Sequence, residues 1–84
     1  MRHCLITFRS VTPAQKAQRI LQQAGYACML HRTPRWMEEK GCGYSLRVPL
    51  TDASACVRLL QEGMVAYRKV YLQHSDGRTE ELVL

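Results

Sequence analysis

Apolar and polar positions alternate at the front of the chain. Over residues 3–9, Cys4, Ile6 and Phe8 share one parity and His3, Leu5 and Thr7 the other, which predicts a strand. The period then lengthens. Ala14, Ala17, Ile20, Leu21 and Ala24 recur at helical spacing on one face. Thr12-Pro13-Ala14-Gln15 predicts the helix start, with Thr12 as N-cap, Pro13 as the first helical residue and Gln15 as the reciprocal cap. Gly25 predicts its end. A second strand is expected over 26–32, and a polar loop with Pro34, Gly41 and Gly43 over 33–43.

Alternation returns over 44–50, where Tyr44, Leu46, Val48 and Leu50 share one side. Pro49 has no N–H to donate to a ladder, so it belongs at a strand end or an edge. Asp52 or Thr51 then caps a second helix over 53–62, with Ala53, Cys56, Val57, Leu60 and Met64 on its apolar face and Gly63 as its stop. Residues 65–73 read as a fourth strand. Ser75-Asp76-Gly77-Arg78 is a turn signal, and 79–84 return as a short fifth strand.

The order is β-α-β-β-α-β with an added terminal hairpin. It predicts one α+β domain over 1–84, ferredoxin-like, with two helices on one face of an antiparallel sheet. The other face is left open. Alternation places Leu5, Thr7, Met29, His31, Arg47, Tyr67, Lys69 and Tyr71 there. That face and the sheet edges leave room for a homodimer.

Composition narrows the function classes. Hydrophobic residues make up 46% and charged residues 23%, which is globular and excludes a disordered chain or a coiled coil. No apolar run reaches membrane-spanning length, and Met1-Arg2-His3-Cys4 lacks a leader's apolar stretch, so a cytoplasmic protein is expected. In 84 residues a large cleft enzyme with its own cofactor fold does not fit, and no cofactor is expected. A carrier, a binding module, a regulatory domain or a very small enzyme remains.

The formal net charge is +5, with nine arginines against three lysines. The basic residues lead: Arg2, Arg9, Lys16, Arg19, Arg32 and Arg35 all precede Glu38, the first acid. Such a front half suits an anionic partner or a merely solubilising surface. Of the four cysteines, Cys4, Cys28 and Cys56 lie in apolar patterns and read as core. No C-x-x-C occurs, which removes thioredoxin-type and zinc-knuckle readings. A metal site from His3, Cys4, Cys28 and His31 conflicts with alternation, and none is expected.

Cys42 stands apart, between Gly41 and Gly43 after a polar loop. Positive charge favours a thiolate, and Arg35, Lys40 and Arg47 are near in sequence. The glycines free the backbone to present the sulfur to a partner. Trp36 in the same loop is either an edge cover or an aromatic anchor for that partner. These features suit a thiol that accepts and hands on a sulfur atom, or a redox sensor. Pairing with His31 as a base is a further arrangement, though no oxyanion-hole motif accompanies it. His74 and Glu38-Glu39 read as surface.

Leu5-Ile6-Thr7-Phe8, Gly25 before the second strand, and above all Thr33-Pro34-Arg35 followed by Cys42-Gly43-Tyr44-Ser45-Leu46-Arg47 are similar to the selenium/sulfur carrier-like proteins, small bacterial and archaeal domains. The resemblance covers about residues 4–73. It implies a carrier thiol at Cys42 that holds a persulfide or selenopersulfide, a non-enzymatic role, and protein partners: a cysteine-desulfurase-like donor and an acceptor. Lys40-Gly41 occupies positions where relatives often carry a hydroxyl or second cysteine, so no resolving thiol adjoins Cys42. The Cys-Pro motif of other sulfur-relay proteins is also absent.

Two alternatives share the topology. Lys40-Gly41-Cys42-Gly43-Tyr44 partly matches the third-strand signature of the RNA-recognition module. Cys42 replaces its first aromatic, however, and Arg47 its last, and the first strand offers no stacking aromatic. A small-ligand regulatory domain would need an anion pocket, which the sequence does not locate.

Overall fold

A computed structural model describes residues 2–32 and 43–82. Its elements are β1 (His3–Phe8), α1 (Val11–Gln23), β2 (Met29–Arg32), β3 (Tyr44–Pro49), α2 (Ala53–Glu62), β4 (Val70–Gln73) and β5 (Thr79–Leu82). The five strands form one sheet in the order β2-β3-β1-β4-β5, with every neighbouring pair antiparallel. This α+β arrangement is compatible with the expected ferredoxin-like fold.

Side-chain parity builds the core. Cys4, Ile6 and Phe8 from β1, Leu46 and Val48 from β3, and Val70 from β4 all face one side. Ala14, Ala17 and Leu21 of α1 and Ala53, Cys56, Val57 and Leu60 of α2 complete the same buried cluster. Both helices therefore cover one face. The alanines of α1 let the helix lie close to the sheet, while Phe8 and Leu60 fill the larger spaces.

Several boundaries differ from the sequence expectation. α1 is capped by Ser10, not Thr12, and begins at Val11. Ser10 is extended (φ −145°, ψ 171°) and its side chain makes no capping bond. Thr12 is already helical, so its box with Gln15 does not form. Pro13 is tolerated because first-turn N–H groups have no intrahelical acceptor. β2 begins at Met29, not at residue 26, because the chain is still closing α1. The Tyr26 N–H donates to the Leu21 carbonyl and the Gly25 N–H to the Gln22 carbonyl, with Gly25 at φ 89°. That is a Schellman ending, as the glycine predicts.

α2 ends differently. Val65 donates to Leu60 and Met64 to Gln61, and the left-handed position belongs to Met64 (φ 58°), not to Gly63. Gly63 is there for space: a Cβ on it would lie 2.9 Å from Ile20 Cδ1 of α1. The same closure delays β4, which begins at Val70 rather than 65. Residues 65–69 are irregular, yet Thr7 and Lys69 still pair, with Thr7 N–H donating to the Lys69 carbonyl at 2.8 Å. β3 ends at Pro49, and Leu50–Asp52 form a short 3-10 turn into α2, whose cap Asp52 makes no side-chain capping bond.

Candidate functional site

Most of the sequence's chemical candidates fall between β2, which ends at Arg32, and β3, which begins at Tyr44. Arg35, Trp36, Lys40, Gly41 and Cys42 lie outside the described residues. Gly43 is buried and leads directly into β3. Arg47 is half-buried in that strand, on the open face between Met29 of β2 and Leu5 of β1. Four residues of strand separate it from Gly43, about 13 Å.

The other three cysteines are free thiols in unreactive settings. Cys4 and Cys56 are fully buried in the core. Burial pushes the Cys4 thiol up to about 11 and, with the Asp52 charge adding to it, the Cys56 thiol up to about 12. Cys28 is half-buried, its pKa is raised by burial, and its thiol points to the Gln18 carbonyl at 3.8 Å. None of the three offers a thiolate near neutral pH. Cys4 faces the core while His3 lies on the opposite parity, which separates two members of the His3-Cys4-Cys28-His31 set. Among the described residues no cluster of His, Cys, Asp or Glu is placed to hold a metal ion.

The open face has two halves of different character. Met29, Arg47, Leu5, Tyr71 and Glu81 form one cross-strand row, and His31, Ser45 and Thr7 the next. Tyr67, expected on this face, instead packs against the core, and its hydroxyl accepts from Gln61 Nε2 of α2 at 3.0 Å. No aromatic stands on the open face of β1 or β3, the central strands where RNA-recognition modules stack bases. On the β4–β5 side an acid answers a base: Lys69 pairs with Glu81 at 3.5 Å, while the His74–Glu80 pair at 3.0 Å uses an acid of the other parity, registered with Leu72.

The β2–β3 side has no such answer. Leu5, His31, Arg32, Ser45, Arg47 and Gln73 line a hollow of about 200 Å³, and no carboxylate lines it among the described residues. Neither Arg32, Arg47 nor His31 makes an ion pair among the described residues. Thr7 and Ser45 are neighbours in one row, 4% and 2% exposed. The Thr7 hydroxyl is fully used: it donates to the Lys69 carbonyl at 3.2 Å and accepts from the Lys69 N–H at 3.0 Å. The Ser45 hydroxyl has no hydrogen bond among the described residues. Leaving a buried hydroxyl unpaired costs about 1–3 kcal/mol. Ser45, Arg32 and Gln73 were not singled out as site residues by sequence. For Ser45 and Gln73 the available signal was open-face parity with Arg47 and His31; Arg32 has the opposite parity, registered with Tyr44.

A wider groove of about 580 Å³ lies at the start of α1, lined by Arg9, Ser10, Tyr67, Arg68 and Lys69 among others.

Comparison with protein-family models matches residues 3–72 to the family described as "Putative Se/S carrier protein-like". The chain belongs to that family. The matched span runs from the start of β1 into β4 and contains the Cys42-Gly43 pair, Ser45 and Arg47. The β4–β5 turn and β5 lie beyond it. As a Se/S carrier-like chain it also has, among the described residues, no helix long and apolar enough to cross a membrane. No curated protein and no solved structure matches the chain.

Proposed function

We propose that this protein is a sulfur or selenium carrier of the cytoplasm, with Cys42 as its accepting thiol. The observation that carries the reading, beside family membership, is the state of the other thiols. Cys4, Cys28 and Cys56 are each held protonated by burial, which leaves Cys42 as the candidate nucleophile. The Cys42 thiolate attacks the terminal sulfur of a donor persulfide. One S–S bond forms, the donor's S–S bond breaks, and the donor leaves as its thiolate. No external oxidant is needed, because the sulfane sulfur keeps its oxidation state. A selenopersulfide follows the same balance with selenium in the terminal position.

Arg35, Lys40 and Arg47 supply positive charge to the thiolate and persulfide, Gly41 and Gly43 present the loop, and Trp36 contacts the partner. The partners are a donor and an acceptor protein, and the carrier has no turnover of its own. The test is mass spectrometry after incubation with a persulfide donor. A reductant-reversible gain of one sulfur confined to Cys42, and absent from Cys42→Ser, is expected. Equal gain on all four cysteines, or undiminished gain in Cys42→Ser, would overturn the carrier reading.

A further inference from the structure

We propose that the hollow on the open face, between β2, β3 and β1, binds a small oxyanion of the phosphate or sulfate class. This site shares Arg47 with the set proposed to stabilise the carrier thiol, but its test does not use Cys42. Three observations converge on it. The lining residues of open-face parity carry donors: Arg47, His31, Ser45 and Gln73. Among the described residues no carboxylate lines the hollow, and none pairs with Arg47 or His31. Among the same residues the buried Ser45 hydroxyl has no partner, while its row neighbour Thr7 has two. A protein that satisfies one buried hydroxyl twice and leaves the adjacent one open beside Arg47 and His31 has left a place for an acceptor.

Size selects the ligand class. About 200 Å³ holds several waters or one tetrahedral oxyanion. It falls below the roughly 300–1,000 Å³ of sites that enclose drug-sized molecules. A guanidinium fork meets two oxygens at once, and the hydroxyl and imidazole can take the others. Leu5, 7% exposed, gives the hollow an apolar wall that keeps water from competing fully for those donors.

The experiment is an amide NMR titration of the ¹⁵N-labelled full chain with sodium phosphate, then sodium sulfate, at ionic strength held constant with sodium chloride. Saturating displacements of the Leu5, His31, Arg32, Ser45, Arg47 and Gln73 amides are expected. Arg47→Gln should weaken binding about tenfold or more, and Ser45→Ala several-fold, in spectra that keep the folded dispersion. Should either variant fail to fold, His31→Gln at its exposed strand position should weaken binding several-fold instead. Displacements no larger than those from chloride would overturn the proposal. So would displacements centred on Arg9 and Arg68, or displacements of the six amides by a short single-stranded RNA but not by phosphate.

Discussion

Met64 occupies a backbone position that favours glycine. Its φ of 58° closes α2, and its side chain is 88% exposed, so packing gives little in return. A left-handed conformation costs an L-residue about 1–2 kcal/mol, part of which glycine returns through its freer unfolded chain. Met64→Gly should therefore stabilise the domain by roughly 0.5 kcal/mol, raising the thermal midpoint by a few degrees in a calorimetric melt. Gly63→Ala should act the other way, because its Cβ would press on Ile20 Cδ1 at 2.9 Å. The sequence pattern found Gly63 at the end of α2, where it is the C-cap, but did not show its closeness to Ile20. A residue-by-residue reading sees one helix at a time, and the closeness of α1 is a tertiary fact. The buried thiols set a second residue-scale expectation. Cys4 and Cys56 are raised from 9.0 to about 11 and about 12, so the unfolded chain loses these protons first. Their contribution to stability is complete below pH 9.0 and falls as pH rises through about 11 to 12. With both thiols ionising in the unfolded state the slope reaches about 2.7 kcal/mol per pH unit. Urea melts of the native chain and Cys56→Ala between pH 8 and 11 should show about half the thiol-dependent slope in the variant.

Elements were legible where one periodicity ran unopposed. β1, β3 and both helices stand within a residue or three of their expected ends, and the core parity of Cys4, Ile6, Phe8, Leu46 and Val48 holds throughout. The late starts of β2 and β4 share one cause. β2 and β4 each follow a helix, and the N–H groups of Tyr26 and Val65 are taken by helix carbonyls before the strand begins. Apolar alternation continues through such residues, so a pattern alone starts the strand too early. The β4–β5 hairpin was read correctly from Ser75-Asp76-Gly77-Arg78 because its turn chemistry is local. Gly77 sits at φ 91°, the His74 N–H donates to the Arg78 carbonyl at 2.7 Å, and the Asp76 carboxylate accepts from the Arg78 N–H at 3.0 Å and from its Nε at 2.7 Å. Those bonds hold the Asp76 carboxyl below its ordinary value, so its support for the turn is present at neutral pH and lost as pH falls through that lowered value. Gly77→Ala should cost about 1 kcal/mol and act locally. Hydrogen exchange should quicken at β5 amides and stay unchanged in β1 and β3.

At the scale of the molecule, the core and the hollow lie on different sides of the sheet. One face carries both helices and the buried cluster, while the opposite face carries the hollow with Arg47 and His31, which make no ion pair among the described residues. The sequence showed the basic front half, but not where charges go unanswered. That depends on which acids the topology brings near, and Glu81, the acid on the open face of β5, is used by Lys69. The division has a consequence for mutation. Phe8 is fully buried at the centre of the cluster, and Phe→Ala changes in such positions cost about 3–5 kcal/mol, against roughly 5–15 kcal/mol for a whole domain. A domain of this size lies toward the lower end of that range. Phe8→Ala should therefore melt far below the native chain or show no cooperative transition, and it should lose sulfur loading and anion binding together. Cys42→Ser should lose loading alone, with the native melting profile and phosphate-induced shifts retained. Arg47→Gln should weaken the phosphate response while its melt stays close to native, since its guanidinium makes no ion pair among the described residues. Circular-dichroism melts, persulfide mass spectrometry and phosphate titration on the three variants check this. If Cys42→Ser melted as poorly as Phe8→Ala, the thiol would belong to the core, and the separation of folding from carrier chemistry would be wrong.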